Sequence, residues 1–123
     1  LGGICLNWGC IPTKALIRNA DIVHLLEKGK EFGFKFDNLE LNYKVAVKRS
    51  RQVSGRLVKG VGFLMKKNKI MVIKGVGRLT GPHALDVDGK QVTAANIILA
   101  TGASPALLPG MTVDGKRIVT YRQ

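Results

Sequence analysis

The sequence has 123 residues, 46% of them hydrophobic and 23% charged, which suits one small folded domain and excludes a disordered tail. No apolar run reaches the ~18–20 residues that a membrane span needs, so no membrane partner is expected. Twenty Lys and Arg against eight Asp and Glu leave a net charge of +12, a field able to attract nucleic acid, anionic membrane or acidic protein by charge alone. There are two cysteines and no wider disulfide framework, which suits a reducing compartment, and a cytoplasmic location is expected.

Both cysteines fall in the first fourteen residues, Leu1-Gly2-Gly3-Ile4-Cys5-Leu6-Asn7-Trp8-Gly9-Cys10-Ile11-Pro12-Thr13-Lys14. In a regular helix, positions five apart lie ~7.5–8.5 Å apart, beyond the reach of a disulfide. If Cys5 and Cys10 are bonded, the chain between them is irregular, and Gly9 supplies the freedom. Pro12 suits the first turn of a following helix, where a missing N–H costs nothing. A cysteine at that helix start meets the positive end of the dipole, which favours its thiolate. Two blander readings stay open on the residues alone. One is a pair of ordinary buried cysteines. The other is a zinc site of Cys5, Cys10 and His24, although His83, the only other histidine, is too remote in sequence to complete four close ligands.

The motif is longer than a cysteine pair. The run Gly2-Gly3-x-Cys5-x-Asn7-x-Gly9-Cys10-Ile11-Pro12-x-Lys14 resembles the redox segment of the flavin-dependent pyridine-nucleotide disulfide oxidoreductases. Leu6, Ile11 and Lys14-Ala15-Leu16 look most like the dihydrolipoyl dehydrogenase branch. The resemblance implies a redox-active disulfide between Cys5 and Cys10. Cys5 matches the interchange thiol that meets the dithiol substrate, and Cys10 the charge-transfer thiol that packs on the flavin. Lys14 matches a lysine whose charge favours the reduced, anionic isoalloxazine. Gly2 and Gly3 match the turn where backbone approaches the FAD pyrophosphate. Two positions depart from the pattern. Ile4 stands where many members have Thr, which puts a hydroxyl contact to the cofactor phosphate in question. Trp8 stands where many have Val.

Beyond the motif, Ile11, Ala15, Ile22 and Leu26, with Leu16, Ala20 and Val23, recur at helical spacing and predict a helix from about Cys10 to Glu27, with Gly29 and Gly33 as stops. Phe32, Phe34 and Phe36 alternate as a short extended stretch, and Asp37-Asn38 mark a turn. Asn42 can cap a second helix with an apolar stripe of Val45, Val53, Leu57, Val61 and Leu64 and a solvated basic face. Lys66 and Lys67 suit its end, and Asn68 can take a left-handed stop. Ile70 to Ile73 read as a strand. Gly75-Val76-Gly77 lacks a third glycine and opens no helix, so it is no dinucleotide fingerprint.

Gly81-Pro82 and Asp88-Gly89 are turns of a small antiparallel meander through Leu85, Val87 and Val92. By the resemblance, Gly77 meets the adenosine half of FAD. Ile97-Ile98-Leu99-Ala100 is a continuous apolar run suited to a buried parallel strand, and Thr101-Gly102-Ala103 after it resembles the second FAD motif. The Leu107–Gly110 and Val113–Tyr121 stretches also resemble the family.

The expected fold is α/β: part of a Rossmann-like FAD/NAD(P)-binding domain, with two helices followed by an antiparallel meander and a parallel strand. The Gly-x-Gly-x-x-Gly unit, NAD domain and dimerisation domain of the family are not recognised within residues 1–123, so the chain reads as an internal fragment of the FAD domain that lacks full turnover by itself. The resemblance implies FAD as cofactor, NAD as co-substrate, and dihydrolipoamide on the acyltransferase subunit of a 2-oxoacid dehydrogenase complex as partner. It also implies a homodimeric parent, and the fragment's apolar edges invite self-association. No metal is expected. The alternatives are a related glutathione or mercuric reductase and, in a different class, a basic binding module without enzymatic activity. Specific nucleic-acid binding is not expected, since no aromatic-studded basic motif of the RNA-binding kind is present.

Overall fold

The computed structural model describes residues 1–123. The chain divides into two compact units, Leu1–Gly62 with Ser104–Gln123, and Phe63–Ala103.

The first unit opens with a short helix, α1 (Gly3–Asn7), and after a break at Trp8–Gly9 continues as α2 (Cys10–Glu27). The predicted helix is reproduced at both ends. Pro12 is buried in its first turn, where no intrahelical donor is lost. A 3₁₀ turn over Gly29–Phe32 follows, closed by Gly33 in the left-handed region. The extended reading of the three phenylalanines is thereby corrected. Phe32 lies in the 3₁₀ turn, and the rings of Phe32, Phe34 and Phe36 stack in sequence at 6.4 and 6.3 Å without a partner strand. Local ring packing outweighs alternation when no neighbouring strand offers hydrogen bonds.

The second long helix is α3 (Tyr43–Lys67). Asn42 caps it as expected, its Oδ1 accepting from the Val45 N–H at 3.3 Å. The left-handed stop falls one residue later than predicted. Lys69 has φ 55°, its N–H donates to Lys66 O, and the Ile70 N–H reaches back to Met65 O at 2.9 Å. This is a Schellman ending. Asn68 lies just past the helix end, its amide Nδ2 bonded to Leu64 O.

The part of α3 in the first unit runs antiparallel to α2, because its contacts with the earlier chain come in reversed order. Tyr43 and Ala46 share a groove with Val23 and His24, Arg49 reaches Ala15 O and Asn19 Oδ1 at 3.2 and 3.4 Å, and Arg51 reaches Asn7 O at 2.8 Å. The basic face of α3 is therefore not wholly solvated, since two of its arginines tie it to α1 and α2. Small residues are the buried ones: Ala15 on α2, and Ser50 and Ser54 on α3.

The second unit carries the meander β1 (Gly77–Gly81), β2 (Ala84–Val87) and β3 (Lys90–Thr93), antiparallel in that order. Val87 is its buried hydrophobe. The predicted Asp88-Gly89 hairpin forms, with both residues at positive φ, as its turn type requires. Two strand expectations are corrected. Ile70–Ile73 and Ile97–Ala100 join no sheet, and Ile98 is 90% exposed. A parallel strand is held by ladder bonds from a neighbour, and no segment of the chain pairs with either run. No helix is long and apolar enough to cross a membrane.

Candidate functional site

Cys5 and Cys10 are joined by a disulfide, with their Cα atoms 4.7 Å apart. That separation is well below the value for five steps of regular helix, and the break at Trp8–Gly9 accounts for the difference. Gly9 has φ −115° and ψ −113°, outside helical geometry. Around the break, the Trp8 and Gly9 N–H groups both donate to Ile4 O at 2.8 Å, and Asn7 Nδ2 donates to Leu1 O and Gly3 O. The bonded pair removes both sulfurs from the finger-like zinc reading, and His24 instead faces Glu27 at 3.3 Å. Both cysteines are exposed, so they are not the ordinary buried pair either.

The two sulfurs differ in setting. Cys5 lies within the five-residue α1, whereas Cys10 is the first residue of the 18-residue α2. No side chain caps that helix start and no acidic residue occupies its first turn, so the positive dipole end is left to Cys10 and its surroundings. Lys14 follows one turn later on the same side of the helix, exposed, which adds a second positive group near the same sulfur's face.

Gly2 and Gly3 sit at φ 92° and 61°. A side chain at Gly2 would lie 2.7 Å from Leu6, whereas at Gly3 nothing stands within 4 Å of the missing Cβ. Backbone at Gly3 is thus open to close approach, as a phosphate-contacting turn needs. In the second unit, Gly77 begins β1 opposite Val87. Thr101, Gly102 and Ala103 lie exposed outside regular structure, with Gly102 at φ 78° and open space where a Cβ would stand.

Sequence reasoning did not find the partner of Trp8. Its ring lies 6.2 Å from that of Tyr121 at 50°, and the Arg122 guanidinium sits 5.8 Å from the Tyr121 ring centre. A tryptophan inside the cysteine loop was a visible signal, but nothing in the spacing named a residue so far along the chain. A groove of ≈ 390 Å³ between α2 and the start of α3, lined by residues such as Val23, His24 and Tyr43, includes neither cysteine and stands apart from this chemistry.

The model of the pyridine nucleotide-disulphide oxidoreductase family matches residues 1–123. The dihydrolipoyl dehydrogenase of Chlorobaculum parvum is 48% identical over 128 residues, covering 100% of this chain and 27% of that protein. The enzyme of the same name from Rhizobium etli is 48% identical, covering 98% of the chain and 29% of the relative. That from Mycobacterium tuberculosis is 45% identical, covering 99% and 27%. The chain thus spans a little over a quarter of the length of these relatives and, with its family match running end to end and its two cysteines bonded at the head of α2, belongs to the pyridine nucleotide-disulphide oxidoreductases.

Proposed function

We propose that the chain is the disulfide-bearing part of the FAD domain of a dihydrolipoyl dehydrogenase, which oxidises dihydrolipoamide to lipoamide with NAD as acceptor. The observation that carries this reading is the exposed Cys5–Cys10 disulfide with Cys10 at the start of α2. A substrate thiolate attacks Cys5, the bond between the protein sulfurs breaks, and Cys10 leaves as a thiolate favoured by the helix dipole. The second substrate thiol then attacks the sulfur of the mixed disulfide and frees Cys5. One S–S bond forms in the substrate and one breaks in the protein; two electrons pass to the cysteine pair, and the proton of the second substrate thiol goes to Cys5 while Cys10 stays a thiolate. The reverse order of attack would leave charge on Cys5, without an 18-residue helix behind it.

FAD, when bound, supplies two-electron acceptance from the dithiol and donation to NAD. Gly2 and Gly3 are assigned to its pyrophosphate, Cys10 and Lys14 to the flavin side, and Gly77 and Thr101-Gly102-Ala103 to further backbone contacts, each as a separate proposal for its residue. In the longer protein the partners are taken to be a lipoyl-bearing acyltransferase subunit and a second copy of the enzyme, in the cytoplasm.

The test is NAD reduction by the full-length protein with dihydrolipoamide, run in parallel with NAD(P)H oxidation by glutathione disulfide and by mercuric ion, with the flavin spectrum recorded. Turnover with dihydrolipoamide that is lost in Cys5→Ser and Cys10→Ser is expected. Preference for glutathione disulfide or mercuric ion in the reductive direction would overturn the substrate assignment, and a protein without flavin would overturn the cofactor.

A further inference from the structure

We propose that Trp8 and Tyr121 form an aromatic brace that positions the redox loop, so that the 120–123 turn sets how readily Cys5 is attacked. Trp8 and Gly9 are the only residues between α1, which carries Cys5, and α2, which begins at Cys10. Backbone bonds to Ile4 O fix this link from below. The Trp8 side chain leaves the loop and meets Tyr121 as a tilted pair, with planes at 50° and ring centres 6.2 Å apart, a separation within the favourable range for aromatic pairs.

Tyr121 is itself held in place. Thr120 N and Oγ1 both donate to Gln123 Oε1 at 2.8 and 2.7 Å, and the Gln123 N–H returns to Thr120 O at 3.2 Å. Arg122 covers the Tyr121 ring at 5.8 Å, and its Nε donates to the phenolic oxygen at 3.3 Å. The brace therefore joins a self-bonded turn to the one segment whose geometry decides how the two sulfurs are presented. Trp8 is a positioning residue, since nothing requires it to touch a reactant.

The proposal rests on the disulfide chemistry above, and its test separates the two. Trp8→Val, Trp8→Phe, Tyr121→Leu and the double variant Trp8→Val/Tyr121→Leu are made in the full-length protein. Two rates are compared: NAD reduction by dihydrolipoamide, and ferricyanide reduction by NADH, which does not need the disulfide. Reduction of the protein disulfide by dithiothreitol is followed separately by thiol labelling, and 5-fluorotryptophan reports on Trp8 by ¹⁹F NMR. An aromatic pair of ordinary strength predicts about a two- to ten-fold fall in kcat/KM for dihydrolipoamide, and a comparable change in the dithiothreitol rate, in Trp8→Val and in Tyr121→Leu. The double variant is expected to be no worse than either single one, Trp8→Phe to recover most of the rate, and the ferricyanide rate to stay constant. The Trp8 resonance is expected to move on disulfide reduction and, in the oxidised protein, on Tyr121→Leu.

Additive losses in the double variant, equal losses in both assays, or a Trp8 resonance that ignores Tyr121→Leu would overturn the brace. A wild-type protein inactive with dihydrolipoamide sinks the functional reading alone, because the dithiothreitol rates still decide whether Trp8 and Tyr121 are coupled.

Discussion

At the scale of single residues, the glycine pair before the disulfide separates two costs. Gly2 and Gly3 share a left-handed backbone, but only Gly2 lacks room for a side chain. Gly3→Ala is expected to cost about 1–2 kcal/mol from backbone strain alone. Gly2→Ala should cost more than Gly3→Ala, because Leu6 must also move. Urea unfolding of the oxidised protein measures the difference, and equal losses would mean that the loop adapts around Leu6.

Asp114 offers a pH test. The N–H groups of Lys116, Ile118 and Arg117 donate to its carboxylate and hold its pKa below the ordinary value of 3.8. A carboxyl with a lowered folded pKa stabilises its turn above the unfolded pKa, and that contribution is lost as pH falls through the folded value. The 114–118 turn should therefore stay formed at neutral pH and loosen only in acid below about pH 4. The amide shifts of Lys116 to Ile118, followed by NMR on titration, check this, and loosening near pH 6 would contradict it.

At the scale of elements, α3 carries its own tests. Gly60 lies inside the helix, exposed, with open space within 4 Å of where a Cβ would stand. Gly60→Ala should stabilise the helix by about 0.5–1 kcal/mol. At the other extreme, Asn42→Ala removes the cap to Val45 and should cost about 1 kcal/mol. Lys69→Gly should stabilise, since glycine takes the left-handed position of a Schellman ending without strain. Thermal unfolding of the three variants gives the ranking, and a loss in Gly60→Ala would point to a contact that the fold hides. The ends of this helix show how local chemistry is read from sequence. An asparagine followed by a helical stripe names the cap, because the cap bond spans three residues. The stop falls one position beyond its expected place because Asn68 and Lys69 compete, and the back-bond from Ile70 to Met65 decides between them.

At the scale of the whole molecule, the apolar runs Ile70–Ile73 and Ile97–Ala100 join no sheet and, apart from half-buried Ile97, are exposed. Within a full-length protein they should gain ladder bonds, with amide exchange at Ile97 to Ala100 slowed relative to the 123-residue chain. Exchange mapped by mass spectrometry on both proteins tests this, and equal exchange would leave the parallel-strand expectation without support. The same runs explain why the helices and the hairpin were read correctly from sequence while the two strand readings were not. A helix closes its own hydrogen bonds within four residues and a hairpin within about a dozen, so α2, α3 and the Asp88-Gly89 turn follow from local residues. A strand of a parallel sheet depends on a neighbour that its own residues do not specify.

The sequence by itself pointed to a Cys5–Cys10 disulfide only through its resemblance to a known family, the residues alone leaving a buried pair or a zinc site open. It also determined the long helices and the meander, whose periodicities are local. Only the tertiary structure decided that Arg49 and Arg51 leave the solvated face to bind carbonyls of α2 and α1, and that Trp8 rests on Tyr121. Those contacts join residues remote along the chain, and their energies depend on where folding brings the backbone, which no local pattern encodes.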